Sequence, residues 1–280
     1  MKRVLAFLVC FCMVLGMIPN SMAFLAKAGT NDELALDSSK QALCPACNET
    51  VTWTAYNGTS RMFNISDDSH KHIYLAADAN LQLDSYVAKL TKGTVCLHLN
   101  GHKLSYDGYM QVTGSSSTLN IMGSGEMIFT GTAEQDDGWW KFGIYITSSA
   151  KVNLLGGTYS VAETALEAGC PMIQMTAGKL TVDGATVNGT TYVGGQLTID
   201  HDANLENITV TTGGKLTVNK TWTGKATANF ASGLTDNMVP AANGAATGTF
   251  TGKLTMPGAV TLVATEQGRL EAAGFNAGLV

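Results

Sequence analysis

Six short segments of one pattern recur through the middle of the chain. They begin at Leu97, Leu119, Val152, Leu180, Leu197 and Leu216, and each reads apolar, polar, apolar before a turn-prone or small-loop stretch. Their first positions are separated by 22, 33, 28, 17 and 19 residues. In a strand, residues two apart share a face, so the first and third positions point one way and the second the other. Leu, Val or Ile fills the first and third positions every time, and His, Asn or Thr fills the second. One face is therefore expected to be buried and the other wet. A half-buried strand returning at such intervals fits a stack of similar units, in which each strand finds its backbone partners in the next.

The intervals support this reading. Gly143–Thr147 precedes the third segment and Gly157–Val161 follows it; Met172–Thr176 precedes the fourth, and Asn207–Val210 the sixth. Each interval reads as strand, small turn, strand, Gly turn, strand. No sustained helical periodicity appears between Val95 and Phe230. The fold class expected is all-β: a single-domain parallel, right-handed β-helix solenoid with an N-terminal capping region. An antiparallel sandwich of short strands is the alternative.

Cys44-Pro45-Ala46-Cys47, Val51–Thr54, His72–Leu75, Thr94–Gly101 and the Leu-x-Ile-x-Gly segments follow one another in a single order. In that order the chain resembles the pectate-lyase-like β-helix domains of secreted and cell-surface proteins from gut Firmicutes. The resemblance covers about residues 44–230. It implies an adhesin-like module, of a kind often found with S-layer homology repeats.

The first 23 residues read as a secretory signal peptide. A basic start at Lys2 and Arg3 leads into an apolar run from Val4 to Ile18, and Ser21-Met22-Ala23 supplies the small residues of a cleavage site. An extracellular location follows, secreted or at the cell surface, with no transmembrane segment after cleavage. Loss of Lys2 and Arg3 lowers the 17 basic residues to 15 against 22 acidic ones, a net charge of −7. Only Arg61 and Arg269 then remain as arginines, so a nucleic-acid partner is not expected. Residues 24–43 read as a leader, 44–94 as the N-terminal cap, 95–230 as the β-helix proper and 231–280 as irregular C-terminal coils. Gly252–Gly258 repeats the strand motif.

Cys44 and Cys47 stand in a CxxC spacing that suits half a zinc knuckle, a redox pair, a local disulfide or a pair of free thiols. Zinc as a cofactor requires two further ligands. His70 and His72 share a strand face, as do Cys96 and His98, and either pair can complete the set. Cys170, beside Pro171, reads as an inert thiol.

The segment Glu134–Phe142 falls in the longest interval of the series and is expected to protrude. It carries Trp139 and Trp140 beside Asp136, Asp137 and Lys141. Aromatic faces stack on sugar rings while carboxylates and ammonium groups orient hydroxyls, so a glycan is the partner expected, from a host surface or a cell wall. Folding of both tryptophans over the core as a lid is the alternative.

A catalytic reading finds less support. A β-helix lyase or a glycoside hydrolase needs acids and bases set across a substrate. No Arg lies between residues 95 and 230, and Asp183 and Asp200 occupy turn positions. His201 and Asp202 come without a nucleophile elbow. The function expected is a non-catalytic β-helix module, adhesin-like or carbohydrate-binding. A polysaccharide lyase or hydrolase and a structural spacer are the alternatives.

Overall fold

The computed structural model describes residues 34–81, 87–131, 142–201, 203–211, 214–229, 249–264 and 270–272. The signal segment 1–23 and the candidate glycan residues Asp136, Asp137, Trp139, Trp140 and Lys141 lie outside them. The chain is all-β, and most of its strands pair in parallel within one curled sheet.

The pairing separates into three parallel ladders. The first runs through His70–Tyr74, Gly93–His98, Ser117–Met122, Lys151–Leu155, Lys179–Asp183, Gln196–Ile199 and Lys215–Asn229. The second runs through Ala79–Leu81, Lys103–Tyr106, Glu126–Phe129 and Thr158–Val161. The third runs through Val87–Leu90, Tyr109–Val112, Ile144–Ile146 and Ile173–Met175. The second and third ladders then meet in one strand, Thr186–Val193, whose register shifts between Val187 and Thr190. At that corner the described residues of earlier passes carry the bend Asp107-Gly108 or the short helix Glu163–Glu167. A bulge replaces them here, which accounts for the short intervals of 17 and 19.

Side chains in register form continuous apolar columns. Val95, Leu119, Val152, Leu180, Leu197 and Leu216 make one, and all are buried. Ile73, Leu97, Ile121, Leu154, Val182 and Ile199 make the next, also buried. The other ladders add Leu104, Met127, Tyr159 and Val187, and Met110, Ile144 and Ile173. Cys170 packs into this same core.

Three features of the pairing are not visible in the motifs alone. The first segment pairs two residues earlier than its motif suggests: Val95, not Leu97, lies opposite Leu119, a step of 24. A two-residue slip leaves every side chain on its own face, so period-two reasoning cannot detect it. The parallel pairing also begins inside the predicted cap 44–94, where Thr54–Ala55 already pairs with Ile73–Tyr74. Finally, Thr249–Ala264, which contains the motif repeated at Gly252–Gly258, runs antiparallel along Lys215–Asn229, since alternation does not encode strand direction.

The N-terminal residues form an antiparallel hairpin, Gln41–Cys44 with Glu49–Thr52. This hairpin lies against the outward face of the first ladder. There Cys44, Trp53, Cys96 and Met122 form a second buried cluster, joined by Leu34, Leu36, Val51 and Leu155. The outward face is thus partly covered in the early passes, where Cys96, Asn120 and Met122 are buried.

Candidate metal centre

The CxxC motif forms the tip of that hairpin. Cys44 ends one strand and Glu49 begins the next, so Pro45–Asn48 makes the reversal. The Asn48 N–H donates to the Cys44 carbonyl at 2.8 Å. Asn48 takes the left-handed conformation at φ 56°, a place where Asn is well tolerated. The turn brings both sulfurs to the same side as the ladder strands beneath.

One chain of hydrogen bonds ties the segment before the hairpin to the ladder side, and another bond closes the hairpin itself. The Leu34 N–H donates to the Asn100 side-chain carbonyl at 2.7 Å, and the Asn100 amide donates to the Leu75 carbonyl at 3.1 Å. The Trp53 N–H donates to the Lys40 carbonyl at 2.9 Å. The Trp53 indole is buried, with its Nε1–H donating to the Ala42 carbonyl at 3.3 Å. Its ring meets His72 and His98 edge-on, at centroid distances of 5.3 and 5.8 Å.

Beneath the hairpin tip, His72 and Cys96 are direct register partners on adjacent strands, and His70 lies opposite Thr94. Cys44, His72 and Cys96 place their ligand atoms within 4.8 Å of one another, and so do Cys47, His70 and His72. His72 belongs to both sets. The Cys47 Sγ lies 3.4 Å from His72 Nε2, and the Cys96 Sγ lies 3.3 Å from His70 Nε2. The two imidazoles lie tilted against each other, their centroids 4.2 Å apart. Below them, the Asn120 amide donates to the Cys96 sulfur at 3.3 Å, while its own carbonyl accepts from Asn153 at 2.8 Å. The second contact orients the first.

The four described cysteines are free thiols. Hydrogen bonding to Cys96, reinforced by burial, pushes the Cys44 thiol up to about 12. Hydrogen bonds from Cys44 and Asn120 hold Cys96 below the usual thiol value against the effect of burial. Burial raises Cys47 to about 11. Burial, then the neighbouring His72, lowers His70. Neutral imidazole nitrogens and ionisable thiols are the protonation forms that soft and borderline metals displace or bind.

The sequence placed Cys44, Cys47, His70 and His72 in one candidate site, and the structure brings these four together. It adds Cys96 but not His98, so the pair His70 and His72 converges on the cysteines whole and the pair Cys96 and His98 only in part. His98 turns to Trp53, and its Nδ1 accepts the Asn100 N–H at 3.1 Å. Asn120 was missed. Moving the first motif by two residues would have set Cys96 between His72 and Asn120 in one column. An open groove of about 610 Å³, lined in part by Arg61, His70, Lys71 and His72, gives solvent access to the imidazoles. Elsewhere, His201 Nδ1 lies 3.5 Å from Asp183 and 4.0 Å from Asp200, forming a local charge cluster at a turn.

Comparison with family models, with curated proteins and with solved structures gave no match for this chain.

Proposed function

We propose that the chain is a secreted, non-catalytic parallel β-helix module, adhesin-like or carbohydrate-binding, of a bacterial surface or secreted protein. The observation that carries the reading is the repeated register of three parallel ladders around common apolar columns. Such a stack offers a long, rigid lateral surface whose outward rows repeat at about 4.8 Å, which suits contact with an extended polymer. Among the described residues no helix is long and apolar enough to cross a membrane.

The glycan-binding surface belongs to the segment containing Asp136, Asp137, Trp139, Trp140 and Lys141. Its C-terminal root supports this assignment. Phe142 stacks on Tyr145 at 5.3 Å, and Tyr109 meets both rings edge-on. Phe142 and Tyr145 are buried, so a firm aromatic anchor stands directly after these residues in the chain. Individual sugar contacts of about 1–2 kcal/mol give a single site with millimolar to high-micromolar affinity.

The test is a glycan array with the purified chain, followed by titration of whichever sugar binds. Trp139→Ala combined with Trp140→Ala is expected to weaken that binding at least about tenfold, the loss of about 1.4 kcal/mol, with the melting temperature nearly unchanged. Unchanged binding would exclude the segment as the recognition surface and favour the spacer reading. Unfolding of the double variant would make the tryptophans a structural lid.

A further inference from the structure

We propose that Cys44, Cys47, His72 and Cys96 bind one structural zinc ion, which fastens the N-terminal hairpin to the flank of the parallel ladder. The donors come from three separate stretches: the hairpin tip, the strand His70–Tyr74 and the strand Gly93–His98. Three cysteines and one histidine in a closed tetrahedron are a common structural zinc set. With Zn–S near 2.3 Å and Zn–N near 2.0 Å, neighbouring sulfur and nitrogen ligands sit about 3.5 Å apart. The Cys47 sulfur and His72 Nε2 are already 3.4 Å apart. The Cys44, His72 and Cys96 ligand atoms fall within 4.8 Å of one another, and His72 joins Cys47 to this inner set.

Five donors converge, and zinc in a structural site takes four. Cys96 is buried and shares the inner set with Cys44 and His72, whereas His70 is exposed. His70 therefore serves as a hydrogen-bond donor to the Cys96 sulfur, opposite the Asn120 amide. Binding releases the three thiol protons to solvent. Zn²⁺ with three thiolates carries one net negative charge, and these two N–H donors face the sulfur that bears part of it. Partners of this kind orient ligands and tune a metal site. The groove beside His70 and His72 is the entry path. This inference is independent of the glycan reading, since the two sites share no residue.

The experiment uses the full chain, purified under reducing conditions, stripped of metal and then supplied with zinc or cobalt. One zinc per chain is expected after desalting, together with the intense visible absorption of tetrahedral, thiolate-bound cobalt. Protease cleavage within residues 34–55 should slow at least about tenfold when free zinc exceeds its dissociation constant by that factor. Cys47→Ser and His72→Ala should each abolish stoichiometric zinc, while His70→Ala should retain it. Cys47 is only partly buried, so its serine variant is expected to fold; circular dichroism of the metal-free proteins checks this. Absence of zinc and of the cobalt band from folded, reduced wild-type protein would overturn the proposal. So would a Cys44–Cys47 or Cys44–Cys96 disulfide in the secreted protein. Loss of zinc in His70→Ala with retention in His72→Ala would overturn the ligand assignment.

Discussion

Leu180→Asp is expected to remove about 5 kcal/mol or more of stability, from a third to all of the roughly 5–15 kcal/mol that holds a typical domain folded. Leu180 is fully buried, between Val152 and Leu197 in one apolar column. Truncating such a leucine alone costs about 2–5 kcal/mol. A carboxylate there adds the penalty of an unpaired charge, or of the proton needed to neutralise it. Thr181 is the next residue and points the other way, in the outward column with Asn153 and Thr198. Thr181→Asp should therefore cost less than about 1 kcal/mol. Urea denaturation of both variants, with Leu197→Asp and Thr198→Asp as a second pair, reads the difference. Similar losses on the two faces would contradict the assignment of inside and outside.

Trp53→Ala is expected to cost about 3–5 kcal/mol, the usual range for a buried aromatic truncated to alanine. The loss should be concentrated at one place. Trp53 ties Ala42 of the hairpin to the rings of His72 and His98. Removing it leaves a cavity between the hairpin and the ladder, so amide hydrogens of residues 34–55 should exchange much faster than those of the main core. Trp53→Phe keeps most of the packing and loses one neutral hydrogen bond, worth about 1 kcal/mol. Measurements on metal-free protein separate this packing contribution from any contribution of zinc. A cost near zero for Trp53→Ala, with unchanged exchange in 34–55, would mean that the hairpin is held by other contacts.

The parallel ladders were legible because one rule governs every pass: an inward position must be apolar. Val152-Asn153-Leu154 and Leu180-Thr181-Val182 follow it so regularly that their pairing can be read directly from the chain. The two-residue error at Val95 arose because Val95, Leu97 and Leu99 are all apolar and all lie on the inward face. Any of them can open a motif. Only the outward residue, Cys96 beneath Asn120, distinguishes the registers.

The position of the hairpin was harder to read. A trace of it exists in the outward column His98, Met122, Leu155 and Asp183, which is aromatic or apolar early and acidic late. Hydrophobic outward residues at Met122 and Leu155 mark where something covers the sheet. The pattern does not say that residues 34–53 are what covers it. That depends on long-range contacts such as Leu34 to Asn100, which leave no periodic signal. The candidate metal site was half legible for the same reason. CxxC and HxH are local spacings, whereas Cys96 joins them only through register.

The account rests most directly on that parallel register, and one cross-linking measurement tests it. Thr181 and Thr198 are register partners on the outward face. Parallel neighbours have Cα atoms about 4.8 Å apart, within disulfide range. Gln196 is also outward but is the register partner of Lys179, so it lies on a diagonal from Thr181 of about 8 Å, beyond that range. The variant Thr181→Cys with Thr198→Cys should oxidise to a disulfide, found by mass spectrometry as one linked peptide. The variant Thr181→Cys with Gln196→Cys should not. A failure of the first to link, or equal linking in the second, would contradict the stacked parallel arrangement.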